Sequence, residues 1–308
     1  MERFDDIRFE SGGLTLAGTL HRPEGAGPHP ALVMLQGSGE ADRDSDGYFP
    51  PIRDHFVANG IAVFSWDKPG VGGSSGDWRQ RDLFDRATEA IDAVRCLRDQ
   101  PGIDPARVGI WGHSQGGWIG PLAASQTESL AFLVVNSGPG ITIHAQNLYG
   151  IEQTLRRDGA SEPEIADAIS FMNAVNEAAS NAKSYDEVVA TILEPARGTP
   201  GETYFGDIDA ELWQFLVRIL SRPYDPAPRL ERITCPTLAL YGELDVLTPA
   251  AESVAIFTTA FKKSGNQNLT IITFPGADHR IRLGDPLDFA PGYLEAMSSW
   301  IRQQVGLA

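Results

Sequence analysis

The chain has 308 residues and a formal net charge of −16, from 41 acidic against 25 basic side chains. This length buries a large core, as one α/β domain or as a domain with an insertion. The acidic balance argues against nucleic acid, whose binding needs a basic stripe to displace phosphate counterions, and against an anionic membrane surface.

Phe4 to Glu10 and Leu14 to His21 flank Ser11-Gly12-Gly13 and predict an opening β-hairpin. Ala31 to Leu35 is a short apolar strand running into Gln36-Gly37-Ser38-Gly39. Ile52 to Asn59 predicts a helix closed by Gly60, and Ile61 to Trp66 the next buried strand, followed by the Gly-rich turn Asp67 to Ser74. Leu83 to Arg98 has helical periodicity and stops at Pro101-Gly102. Val108 to Trp111 and Phe132 to Asn136 are further apolar strands. From about Gly140 to Arg232 no convincing strand follows. Ser161-x-x-Glu164 and Ser184-x-x-Glu187 read there as capping boxes, and Asp209 to Leu220 as an amphipathic helix. About four helical segments are expected in this insertion. Alternation resumes with strand Thr237 to Tyr241, helix Ala250 to Phe261, strand Leu269 to Phe274 and a last helix near Leu287 to Val305.

Repeated strand–helix units with short apolar strands predict a mainly parallel sheet with helices on both faces. In such sheets chemistry gathers at the carboxyl ends of the strands. Ser38, Ser114, Asp245 and His279 all follow predicted strands, so they converge on one edge.

Gly112-His113-Ser114-Gln115-Gly116 joins the strand Val108 to Trp111 directly to a helix-compatible segment, Gln115 to Ser125. This is the Gly-x-Ser-x-Gly nucleophile elbow in the strand–turn–helix context that gives it meaning. A serine hydroxyl needs a base to accept its proton. His279, in the loop after strand Leu269 to Phe274, is the best-placed histidine; His113 abuts the nucleophile, so its side chain is expected to point away. The imidazole in turn needs a carboxylate to fix its tautomer. Asp245 follows strand Thr237 to Tyr241, with Glu243 as the fallback, while Asp278 sits too near in sequence to reach the ring. The order Ser114, Asp245, His279 is the one expected of this arrangement.

With these motifs in place, the chain resembles the α/β-hydrolase superfamily over nearly its whole length. The resemblance is carried by the opening hairpin, Gly37-Ser38-Gly39, Asp67-x-Pro-Gly-x-Gly-x-Ser74, the elbow, Gly242-x-x-Asp245 and Gly276-x-x-His279. Within it the chain looks like bacterial acyl hydrolases and esterases related to prolyl-oligopeptidase-like and bile-acid acyltransferase-like domains. Their usual His-Gly is Gln36-Gly37 here. The resemblance implies an α/β-hydrolase core from residues 1–139 and 233–308, and a helical cap from 140–232. It also places the oxyanion-hole donors on the backbone N–H groups of Ser38 and Gln115.

Three decoys are set aside. Gly72-Gly73-Ser74-Ser75-Gly76 repeats the elbow pattern but leads into polar residues, and reads as a turn. Asp42-x-Asp44-x-Asp46-Gly47 imitates half a calcium loop, yet Arg53 stands where a bidentate glutamate belongs. A loop held by an Arg43–carboxylate pair is the better reading. Gly37-Ser38-Gly39 lacks the third glycine of a dinucleotide fingerprint.

The expected protein is a serine hydrolase cleaving carboxylic esters of small acyl substrates, without cofactor or metal. The alternatives are an amidase, peptidase or thioesterase with the same triad, or a non-catalytic receptor on the same fold. Cys96 and Cys235 are expected as free thiols. The start Met-Glu-Arg-Phe-Asp-Asp shows no leader pattern, and no apolar run approaches the ~18 residues that span a bilayer, so a cytoplasmic location is expected.

Overall fold

The computed structural model describes residues 3–284 and 288–307. Eight strands form one sheet in the order β1-β2-β4-β3-β5-β6-β7-β8: β1 (Arg3–Ser11), β2 (Leu14–Arg22), β3 (His29–Leu35), β4 (Ala62–Trp66), β5 (Ile103–His113), β6 (Leu133–Asn136), β7 (Thr237–Gly242) and β8 (Leu269–Phe274). The β1–β2 hairpin and the β2–β4 pair are antiparallel, and every pairing from β4 through β3 to β8 is parallel.

Helices cover both faces. The reason is visible in the period-2 alternation of the central strands, whose successive side chains point to opposite faces. Ala31, Val33 and Leu35 of β3 pack with Leu133 and Val135 of β6 and with Ala239 and Tyr241 of β7. They meet the helices α2 (Leu83–Arg98), α3 (Gly116–Ala124) and α10 (Ala250–Ser264). Leu32, Met34, Trp111, Val134 and Leu240 point the other way, to α1 (Phe49–Ala58) and α11 (Tyr293–Gln304).

Between β6 and β7 the described chain is helical: α4 (Ile143–Arg157), α5 (Glu162–Ser180), α6 (Tyr185–Val188), α7 (Pro200–Phe205), α8 (Ala210–Leu220) and α9 (Ala227–Leu230). Six α-helices and a π-helical turn, Val189–Leu193, replace the about four segments expected, because α6, α7, α9 and that turn are too short to leave a periodic pattern. The caps at Ser161 and Ser184 were readable, and Asp209 adds a third. The Glu164 carboxylate accepts from the Ser161 amide at 2.8 Å, Ser184 Oγ from Glu187 N at 3.3 Å, and Asp209 Oδ1 from Leu212 N at 2.8 Å. This segment has a core of its own, with Ile151, Phe171, Met172, Val175 and Trp213 buried together. Tyr224 and Leu230 instead pack into the core of the sheet.

Two boundaries differ from expectation. α1 begins at Phe49 and not at Ile52, with Pro50 and Pro51 in its first turn, which needs no intrahelical donor. The predicted start of the last helix, Leu287, lies outside the described residues, and α11 begins at Tyr293 after the Ala290–Gly292 turn. Cys96 and Cys235 are free thiols. No helix among the described residues is long and apolar enough to cross a membrane.

Candidate active site

Ser114 stands between the end of β5 and the start of α3 with φ +55°, a left-handed conformation that costs a non-glycine residue of order 1–3 kcal/mol. The turn is held by Ser114 N donating to Asn136 O (3.0 Å) and Gly117 N to Ser114 O (2.7 Å). Its two flanking glycines have steric causes. A Cβ on Gly112 would lie 2.2 Å from Gly116 O, and one on Gly116 would lie 2.4 Å from Leu35 O. Strand and helix therefore approach closely enough to leave the serine projecting at the sheet edge.

His279 Nδ1 lies 2.8 Å from Asp245 Oδ2. A carboxylate only accepts, so Nδ1 carries the proton and, in the neutral ring, Nε2 keeps its lone pair. Asp245 is buried, and its other oxygen accepts from the backbone N–H groups of Leu247 and Thr248, both at 2.8 Å. Those bonds hold the carboxylate independently of the imidazole. The His279 ring is 4.9 Å, centroid to centroid, from the ring of His113, the residue that precedes Ser114. Imidazole 279 is thus brought to the Ser114 side of the sheet, although Ser114 Oγ has no hydrogen bond to it among the described residues. The loop after β3 passes over the same serine: a Cβ on Gly37 would sit 3.4 Å from Ser114 Cβ.

The family model described as the alpha/beta hydrolase family matches residues 28–291. The chain belongs to the alpha/beta hydrolase family. It is 40% identical over 116 residues to the thiohydrolase aneE of Aspergillus aculeatus, covering 37% of this chain and 35% of that protein. It is 23% identical over 288 residues to the esterase EstD of Thermotoga maritima, covering 91% of this chain and 62% of that one. Both matches therefore span less than two thirds of the relative's own length. Among solved structures, the alpha/beta hydrolase GrgF of Penicillium sp. sh18 superposes with a TM-score of 0.64 at 20% identity, over 99% of this chain and all of the other.

In this alpha/beta hydrolase the rejected carboxylates hold backbone. Glu243 Oε2 accepts from Gly276 N (2.8 Å), and Asp278 Oδ1 from the amides of Arg280 (2.9 Å) and Arg282 (2.8 Å). Both stabilise the loop that carries His279. The decoy motifs are likewise structural. Ser74 Oγ donates to Asp67 O and accepts from Ala17 N, and Asp67 takes Arg43 in a two-pronged pair of 3.1 and 2.8 Å. That pair holds the Asp67 carboxyl below its usual range despite the burial that opposes ionisation. Asp44 pairs with Arg53. Among the described residues no group of three or more His, Cys, Asp or Glu is placed to hold a metal ion.

Sequence reading missed the supports behind the site. His113 does not simply turn away. It is buried between Tyr48 and His279, with Nδ1 accepting from Asn136 Nδ2 at 2.9 Å, and burial holds it neutral by pushing its pKa well down. Asn136 Oδ1 in turn accepts from Tyr293, and the Tyr48 hydroxyl donates to Arg280 O. Lys68 is buried beneath the Gly37 loop. Nothing in a lone lysine after an aspartate announces that role.

The helical segment meets the sheet edge twice. From α4, Tyr149 donates to Asp245 O (3.0 Å) and Gln146 to Leu247 O (2.7 Å). From α8, Phe215 packs on Trp78 with ring centroids 5.3 Å apart, and Arg218 bonds Gln80. A cleft of about 710 Å³ opens at this second junction between Asp82, Tyr185, Trp213 and Arg218, and it includes none of Ser114, Asp245 or His279.

Proposed function

We propose that this chain is a serine hydrolase that cleaves carboxylic esters of small acyl substrates through an acyl-enzyme on Ser114. The observation that carries the reading is His279 Nδ1 bonded to a pre-held Asp245, beside a serine in a strained elbow. His279 Nε2 takes the serine proton as Oγ attacks the carbonyl carbon, and returns it to the leaving alcohol as the tetrahedral intermediate collapses. A water, deprotonated by the same nitrogen, then releases the acid. Asp245 holds the tautomer and stabilises the imidazolium. The backbone N–H groups of Ser38 and Gln115 receive the negative charge that develops on the carbonyl oxygen. In resting enzymes such hydrogen bonds are often long, and they tighten around bound substrate.

The helical segment 140–232 serves as a cap over the carboxyl edge of the sheet, which excludes water from the acyl-enzyme. Phe171, Met172 and Trp213 build its core, so they support the cap from within. A thioester is the second reading, favoured by the 40% identity to a thiohydrolase over 116 residues.

Ser114→Ala and His279→Ala are expected to lower turnover of a short p-nitrophenyl ester by about 10³-fold or more while leaving the fold intact. A fluorophosphonate is expected to label Ser114 alone. Turnover by Ser114→Ala near that of the unaltered protein sinks the assignment. Parallel kcat/KM values on matched oxygen esters and thioesters separate the two readings.

A further inference from the structure

We propose that Lys68 is a positioning residue that aims the Ser38 backbone N–H at the oxyanion, by pinning the carbonyls on either side of it. The inference rests on the serine-hydrolase reading and extends it to a side chain outside the triad. Lys68 lies just after β4, in the turn Asp67-Lys68-Pro69-Gly70, and is 1% exposed. Its Nζ donates to the carbonyl oxygens of Gly37 and Gly39, the latter at 2.6 Å.

The geometry of a trans peptide does the rest. The carbonyl of one residue and the N–H of the next point in opposite directions across the planar unit. Among the described residues the single cis bond is Gly27–Pro28, so the Gly37–Ser38 unit is trans. With the Gly37 carbonyl drawn down to Lys68, the Ser38 N–H faces the opposite way. The backbone of Gly37 runs beside the serine, since a Cβ added there would lie 3.8 Å from Ser114 Oγ. The glycines that make this loop adaptable would also let the unit flip, and a flipped unit would present a carbonyl, an electron-rich group, to the developing oxyanion. Lys68 opposes that flip at the carbonyls of Gly37 and Gly39, one on each side of Ser38.

A buried lysine is costly, and the surroundings show how this one is retained. Burial pushes its ammonium well below the ordinary lysine range, with Arg86 adding to the shift and Glu89 opposing it. An amine of either charge still offers a hydrogen to each carbonyl. The loop is braced independently of Lys68 at its two ends. Gln36, fully buried, donates to Asp42 O and Trp66 O, and Arg43 grips Asp67. Between those braces lies Gly37 to Gly39, the stretch whose carbonyls Lys68 holds.

The test is Lys68→Met, which keeps an unbranched apolar stem and removes the donors. On a p-nitrophenyl ester kcat is expected to fall about 10- to 100-fold, with KM changed by less than about threefold. The inhibition constant of a trifluoromethyl ketone, which adds Ser114 and places an oxyanion in the same position, is expected to rise in proportion to the loss in kcat/KM. A merely structural lysine would not move the transition-state mimic selectively. If the Met variant does not fold, the same ratio is read on Lys68→Gln, one atom shorter and still a donor, where a smaller selective loss is expected. Unchanged kcat, or unchanged affinity for the ketone, overturns the proposal. Ser114→Ala is measured alongside. Lost turnover there with an indifferent Lys68 variant overturns this inference alone, whereas retained turnover overturns the serine reading as well.

Discussion

At the scale of the residue, the proposed chemistry depends on which nitrogen of His279 holds the proton. Asp245 decides it, because one carboxylate oxygen is already committed to the Leu247 and Thr248 amides and the other faces Nδ1. In Asp245→Asn the side-chain oxygen is expected to keep the two backbone bonds, which turns the NH₂ group toward the ring. The imidazole must then present a lone pair at Nδ1 and carry its proton on Nε2, where it cannot act as a base. A fall in kcat of about 10³- to 10⁴-fold, with a thermal midpoint close to that of the unaltered protein, is expected. A variant retaining a tenth or more of wild-type kcat would contradict this role for the carboxylate.

At the scale of the element, the elbow is a close approach of two backbones, so its glycines are replaceable only at the cost of moving a strand or a helix. Gly112→Ala puts a methyl group 2.2 Å from a backbone carbonyl. A loss of about 3 kcal/mol or more in urea denaturation is expected, since neither neighbour is a flexible side chain. Gly265, the left-handed C-cap of α10 with nothing within 4 Å of its missing Cβ, is the control. There Ala is expected to cost only about 1 kcal/mol, the conformational penalty alone. Equal losses at the two sites would show that crowding is not what keeps Gly112. The elements also show what a sequence conveys and what it does not. Ser161 and Ser184 were readable as caps because a cap is a local bond between near neighbours. The full extent of β5 was not, because Asp104-Pro105-Ala106-Arg107 shows no apolar run or alternation and lies in an irregularity between Ile103 and Val108, the residues that pair with β3.

At the scale of the whole molecule, acid is expected to weaken the fold through histidines that folding keeps neutral. Burial and the neighbouring Arg53 lower His21 from 6.5 to about 4, and burial lowers His113 well below 6.5. Below pH 6.5 the unfolded chain takes up protons that the folded chain refuses, so stability is present above that value and falls as pH drops toward 4. The urea midpoint is therefore expected to be lower at pH 5 than at pH 7. The gap between the two is expected to shrink in His21→Asn. An unaltered gap would remove His21 from the account.

The sequence by itself determined the order of strands and helices, the elbow at Ser114, and the loop positions of Asp245 and His279. Each of these follows from periodicity, turn chemistry or motif spacing within a few residues. The tertiary structure decided the rest: Glu243 and Asp278 hold backbone, His113 lies against the ring of His279, and Lys68 sits beneath Gly37. Burial and hydrogen-bond partners of a polar side chain are set by segments distant in the chain, and no local pattern of residues records them.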